Sequence, residues 1–281
     1  SNNAMMLGVD GPPTTFGLYR DGARIASLPK PGGVDAAYAP SALSAAPYVL
    51  RPGADALLGG MSGGYRGAEA LAMGAHHADA VEGEPVLNQA LRHGLGPSPA
   101  LTADPRLTLL DGGPIAAAWR AGANAYDIVD VSADFIDAAP ANATGVTVEA
   151  LSAYLGALKP GGMISVSVSI RDFPVYALRV MATGREALLR AGVADPSQHV
   201  LVYRSAWNAR ILVSPTPWSD ADIAALKTFA EARSFDVSWY PGMDVTAARA
   251  TVFNDLPSVS FTTGQVTSNS PNDAIANEAQ A

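Results

Sequence analysis

The chain has 281 residues, 48% of them hydrophobic, with 18 Lys and Arg against 26 Asp and Glu, a formal charge of −8 and no cysteine. This length and composition support a real buried core and exclude general disorder, and the acidic balance without a dense Lys/Arg run argues against a nucleic-acid partner. The missing cysteine removes a disulfide scaffold, thiolate catalysis and cysteine-ligated zinc, and no apolar run reaches the roughly 18 residues of a membrane-spanning helix.

Taken in chain order, Ser1-Asn2-Asn3-Ala4 reads as a tag remnant. Thr15 to Tyr19 and Arg24 to Ser27 read as strands of a hairpin turning at Asp21-Gly22. From Arg51 short apolar strands alternate with helices. Strands are expected at Asp55 to Leu58, Asp79 to Val81, Arg106 to Leu110, Tyr126 to Val131 and Met163 to Ile170. Helices are expected at Tyr65 to Met73, at Pro85 to Arg92, up to Arg120, and at Val148 to Leu158, where Lys159-Pro160-Gly161-Gly162 is read as a stop. His76-His77 is read as closing a helix at its C-terminal end.

This alternation predicts a mainly parallel sheet covered on both faces. A helix at Val175 to Ala191 follows. His199 to Arg204 and Ala209 to Val213 are too close for a parallel crossover and should pair antiparallel. Ser219 caps a helix from Asp220 to Ala232, expected between two neighbouring strands of the edge region, and Ser234 to Tyr240 is a last strand. The division is residues 1–50 as tag remnant and small β extension, 51–242 as a Rossmann-like domain, and 243–281 as a tail rich in Thr, Ser, Asn and Pro.

The glycine-rich turn Gly59-Gly60-Met61-Ser62-Gly63-Gly64 joins a strand to a helix, where backbone can approach a ligand closely, although it lacks the GxGxxG order and the lysine of a P-loop. Glu82 ends the second strand, 19 residues after Gly63, and is placed to accept from a ribose diol. Asp111 ends the third, in reach of an adenine amino group, and is equally readable as an N-cap. Asp127 starts the fourth strand and reads as structural. Asp130 lies inside its apolar run, either a boundary error or turned toward the cleft. Asp134 lies beyond its carboxyl end, where open α/β sheets place chemistry. His76, His77, His93 and His199 show no metal-binding spacing, and Ser62 stands in no nucleophile elbow.

Five segments in order carry a resemblance: the glycine turn, Val81-Glu82-Gly83-Glu84-Pro85, Leu110-Asp111-Gly112-Gly113, Tyr126-Asp127-Ile128-Val129 and Leu158-Lys159-Pro160-Gly161-Gly162. From Leu18 to Gly242 the chain resembles the spermidine synthase-like group of class I S-adenosylmethionine-dependent methyltransferase folds. The resemblance implies a Rossmann-like α/β fold, with a mainly parallel seven-stranded sheet, an antiparallel edge hairpin and a short N-terminal β extension. It implies S-adenosylmethionine, or less readily its decarboxylated form, as cofactor, with no metal. Gly59, Gly60, Met61, Gly63, Glu82, Asp111 and Gly112 would hold the cofactor, and Asp134 would serve as the catalytic residue facing the acceptor.

Where the family carries D-x-x-D-P, this chain reads Val131-Ser132-Ala133-Asp134-Phe135, and the family's Y-H-E-x-L stands as Tyr38-Ala39-Pro40-Ser41-Ala42. A cationic polyamine needs convergent carboxylates. Their loss favours methyl transfer to an unidentified small-molecule acceptor over aminopropyl transfer. A degenerate, noncatalytic homologue serving as a binding or regulatory domain is the competing expectation. The resemblance further implies a cytoplasmic domain, with membrane segments in a longer bacterial parent protein and a homodimer as open expectations.

Overall fold

The computed structural model describes residues 14–101, 104–131, 145–170, 175–244, 259–262 and 265–268. The chain opens with a hairpin of strands β1 (Phe16–Arg20) and β2 (Ala23–Leu28), turning at Asp21 and Gly22, both at positive φ. Residues 38–50 follow as two 3-10 turns and the short helix α1 (Ala46–Leu50), whose Tyr48 and Leu50 enter the same core as the sheet.

Strand β3 (Asp55–Gly59) then leads through α2 (Tyr65–Ala72) to β4 (His77–Val81), α3 (Pro85–His93), β5 (Leu107–Leu110), α4 (Pro114–Ala121) and β6 (Tyr126–Val131). Helix α5 (Val148–Ala157), strand β7 (Leu158–Ser169) and helix α6 (Val175–Arg190) come after it. The antiparallel pair β8 (Val200–Arg204) and β9 (Asn208–Val213), helix α7 (Asp220–Glu231) and strand β10 (Asp236–Trp239) complete the α/β body. The buried Tyr203 hydroxyl of β8 donates to the Leu43 carbonyl at 2.6 Å and fastens the segment before α1 to the sheet. A separate hairpin pairs β11 (Val259–Thr262) with β12 (Gln265–Ser268).

The main sheet has eight strands in the order β10-β8-β9-β7-β6-β3-β4-β5. Strands β5, β4, β3, β6 and β7 are parallel; β9 joins β7 antiparallel, β8 joins β9, and β10 joins β8. This is the mainly parallel, doubly covered sheet that the alternation of elements predicts, consistent with the Rossmann-like class I methyltransferase fold that the resemblance implies, with the N-terminal hairpin and the antiparallel edge in place. Leu57 and Leu58, adjacent on β3, are both fully buried because each serves a different face. One face packs Leu58, Ile128, Met163 and Leu212 against α1, α2, α3 and α7; the other packs Leu57, Val129, Ile164 and Ile211 against α4, α5 and α6. Each such side chain contributes on the order of 2 kcal/mol through apolar burial.

Four expectations change. The sheet has eight strands, not seven, because Asp236–Trp239 adds to its edge. Helix α7 links β9 to β10, which are not neighbours: β8 lies between them, so the connection crosses over a strand. Lys159-Pro160-Gly161-Gly162 stops the helix as expected, at Ala157, but the strand expected from Met163 starts earlier. Strand β7 begins at Leu158, directly after α5, and these residues form an irregularity in the pairing, where Tyr126 faces Leu158 and Ile128 faces Met163. His76-His77 does not close a helix; α2 ends at Ala72 and His77 opens β4. The capping box of Ser219 and Asp222 is present as expected, with Asp222 N donating to Ser219 Oγ at 3.1 Å.

Candidate functional site

The strand order reverses direction of growth at β3, with β4 on one side and β6 on the other, so the carboxyl ends of these strands flank the crevice where open α/β sheets bind ligands. Strand β3 ends at Gly59, and the turn runs through Gly60 and Met61 into a 3-10 turn, Ser62–Gly64, before α2. Gly63 and Gly64 have φ of 70° and 98°. A Cβ at Gly63 would stand 1.6 Å from the Ser27 carbonyl oxygen, and one at Gly64 1.6 Å from Leu101 Cδ1. Both glycines are thus required by the protein's own packing: β2 lies on the first and Leu101 on the second. Met61 is buried, with its Cε 2.9 Å from where a Cβ on Gly67 would lie, so its side chain backs the turn from beneath α2.

Glu82 directly follows β4. Its Oε2 accepts from Met61 N at 3.3 Å and its Oε1 from Glu84 N at 3.0 Å, while Gly60 N donates to Val81 O at 3.0 Å. The carboxylate therefore ties the glycine turn to the turn after β4.

Asp111 follows β5 with its side chain 89% exposed, paired to Arg92 Nη2 at 2.8 Å. Arg92 is held in turn by Asn88 Oδ1 at 2.8 Å and Leu109 O at 3.0 Å. The Asp111 carbonyl accepts from Arg120, and the N-cap of α4 is Gly113, so Asp111 is not a cap. Gly59, Gly60, Met61, Gly63, Glu82, Asp111 and Gly112 thus gather at the carboxyl ends of three adjacent strands. Asp134 lies outside the described residues. A cleft of about 380 Å³ opens on the far side of the turn, lined by Val34, Ala36, Gly64, Leu101, Arg106 and Leu107, and neither Glu82 nor Asp111 reaches it.

Sequence reading undervalued a cluster at the same end of the sheet. Asp130, next to last in β6, is buried, with Oδ1 2.5 Å from Arg210 Nη1 and Oδ2 2.6 Å from Arg66 Nη2. Arg210 Nη1 also donates to Ser165 Oγ at 2.7 Å, and Arg66 Nη2 to the Asp130 carbonyl at 3.2 Å. Burial opposes ionisation of Asp130, but the guanidiniums of Arg210 and Arg66 outweigh it and hold the carboxyl below its ordinary range. Nearby Glu69 is pushed upward by burial and accepts from the Tyr38 hydroxyl at 2.5 Å. An aspartate inside an apolar run was the readable signal; Arg66 and Arg210 lie 64 and 80 residues from it, with no spacing to link them.

Asp127 has a structural role, as its position predicts. At the amino end of the sheet its Oδ2 accepts from Lys159 Nζ at 2.8 Å and from Asp55 N at 2.9 Å, and Lys159 also reaches Asp55 Oδ2 at 2.6 Å. Among the described residues no group of three or more His, Asp or Glu side chains is gathered so as to hold a metal ion, and no helix is long and apolar enough to cross a membrane.

No protein-family model matches the chain, and no curated protein matches it. Solved structures do. A probable spermidine synthase from Corynebacterium glutamicum superposes with a TM-score of 0.53 at 16% identity, covering 75% of this chain and 76% of that one. Spermidine synthase from Thermotoga maritima gives 0.47 at 20% identity, over 72% of this chain. The match spans 65% of the Thermotoga protein's length, and identities this low speak for a shared fold alone.

Proposed function

We propose that the chain is an S-adenosylmethionine-dependent transferase domain that transfers a methyl group to a small-molecule acceptor. The observation carrying this reading is the carboxylate of Glu82, aimed at the glycine turn across the crevice where the sheet reverses. The fold shared with the Corynebacterium protein supports it.

The adenosine side fits the residues present. Glu82 sets a carboxylate, the group suited to accept from ribose hydroxyls, at the end of β4, Asp111 stands exposed at the next strand end but one from the turn, and Gly59, Gly60 and Gly112 keep side chains out of the way. When bound, the cofactor supplies a methyl group already activated on a sulfonium. The chain's own residues then need only orient the acceptor in line, exclude water and accept charge as it develops. Asp134, on the segment after β6, is the residue proposed to face the acceptor.

The second reading, a noncatalytic relative, draws on Ser27, whose carbonyl lies on Gly63 and narrows the approach to the turn. Calorimetric titration with S-adenosylmethionine, its decarboxylated form and S-adenosylhomocysteine separates the two. Binding of S-adenosylmethionine or S-adenosylhomocysteine in the micromolar range supports the transferase, and silence from all three at high micromolar concentration sinks it.

A further inference from the structure

We propose that the Arg66–Asp130–Arg210 cluster, with Tyr48, binds an oxyanion of the acceptor, so that the acceptor is an anionic small molecule and not a cationic polyamine. This deepens the transferase reading and rests on it for the word acceptor, though not for the binding itself.

Charge is the first argument. One carboxylate, Asp130, is shared by two guanidiniums at 2.5 and 2.6 Å, all three groups buried, so guanidiniums outnumber carboxylates within the ion-paired cluster. Glu69 lies within electrostatic reach of both guanidiniums but makes no hydrogen bond to them among the described residues; its carboxyl accepts from the Tyr38 hydroxyl. A buried charge without a partner is costly, and two guanidiniums with one carboxylate between them suit a second oxyanion.

Unused donors are the second. Arg66 Nη1 and the Tyr48 hydroxyl are buried with no hydrogen-bond partner among the described residues, and their residues are only 9% and 3% exposed. The Tyr48 hydroxyl lies within the electrostatic reach of Asp130, Arg66, Arg210 and Glu69. A buried donor without a partner is costly, more so when charged, so a fold that keeps both beside the same charges is built around something that accepts from them.

Position is the third. Asp130 is one residue short of the carboxyl end of β6; Ser165 pairs beside it on β7, and Arg210 pairs with Ser167 at the same end of the sheet. This is the acceptor side of the crevice. The chain has Ala39, Pro40 and Val131 where a polyamine enzyme's acids and histidine are expected, so a polycation would meet guanidiniums with few counter-charges.

The test is calorimetric titration of the full chain, free and saturated with S-adenosylhomocysteine, using inorganic phosphate, succinate and spermidine as probes. Phosphate or succinate is expected to bind at a single site, with spermidine weaker by about tenfold or more. Tyr48→Phe, which removes one hydroxyl and leaves the ion pairs intact, should weaken oxyanion binding about fivefold while the protein stays folded by circular dichroism. A preference for spermidine, or a Tyr48→Phe protein that titrates like the parent, overturns the proposal. So does absence of oxyanion binding at roughly 10 mM, which assigns the two donors to ordered water only. Oxyanion binding without S-adenosylhomocysteine binding would instead remove the transferase reading and leave the anion site standing.

Discussion

The two ends of the sheet each carry a cluster of carboxylates and cations, and the clusters differ in kind. At the amino end Lys159 lies between Asp55 and Asp127, its side chain 31% exposed, so water screens the pairs and every charge has a partner. At the carboxyl end Asp130 alone pairs with both Arg66 and Arg210 out of water, and two donors have no partner among the described residues. A saturated, solvated cluster is a clamp: it pins the starts of β3, β6 and β7. An unsaturated, dry one at the ligand end has the composition of a binding site. Burial and stoichiometry, more than residue type, separate the two.

The sharpest way to break the contrast is Asp130→Asn. Two buried guanidiniums would lose their shared counter-charge, and stability should fall by about 3–5 kcal/mol in chemical denaturation. A loss below about 1 kcal/mol would mean the carboxyl end is as solvated as the amino end. Gly63→Ala comes next, because its Cβ would strike the Ser27 carbonyl from a left-handed backbone; about 2–4 kcal/mol is expected, or release of the β1–β2 hairpin seen as new proteolytic cleavage before Leu28. Glu82→Gln should weaken S-adenosylhomocysteine binding by about tenfold with little change in melting, since a charged acceptor becomes a neutral one. Lys159→Met should cost only about 1 kcal/mol, a difference that shrinks in high salt.

Acid titration sharpens the same contrast. The hydrogen bond from Lys159 leads the effects that hold Asp55 below its usual value, and Asp130 is likewise depressed against the opposing effect of burial. Both therefore contribute stability that is complete above the unfolded value of about 3.9 and is lost as pH falls through the lower folded values. Glu69, raised by burial, has the opposite sign: its contribution is complete below about 4.3 and is lost as pH rises through its folded value. Melting of the Asp130→Asn protein between pH 7 and pH 3 should show a shallower acid loss than the parent, and parallel curves would contradict the depressed Asp130.

The sheet was legible because its strands are short apolar runs bounded by glycine, proline and acidic residues, and the edge pair because so short a link cannot make a crossover. Lys159-Pro160-Gly161-Gly162 marked the end of α5 correctly but hid the start of β7, for a physical reason. A helix stop signal specifies that a helix ends but not which structure the chain enters next. Here Gly162, whose Cβ would lie 3.0 Å from the Asp127 carbonyl oxygen, lets the strand pass close to β6. The strand-end positions of Glu82 and Asp111 could be read because strand ends are a property of local sequence. Arg66 and Arg210 could not, because a buried ion cluster is assembled by tertiary contact and leaves no period in the chain.

The hydrogen bond from Tyr203 to the Leu43 carbonyl spans 160 residues of sequence, and that distance bears on how the chain is made. The segment before α1 is synthesised 160 residues ahead of its anchor on β8. At a ribosomal rate of about 5–20 residues per second it waits roughly ten to thirty seconds for that anchor. Until then Leu43 and Tyr48 have no finished core to enter, and a chaperone that shields residues 38–50 should raise the yield of folded protein more than one acting after release.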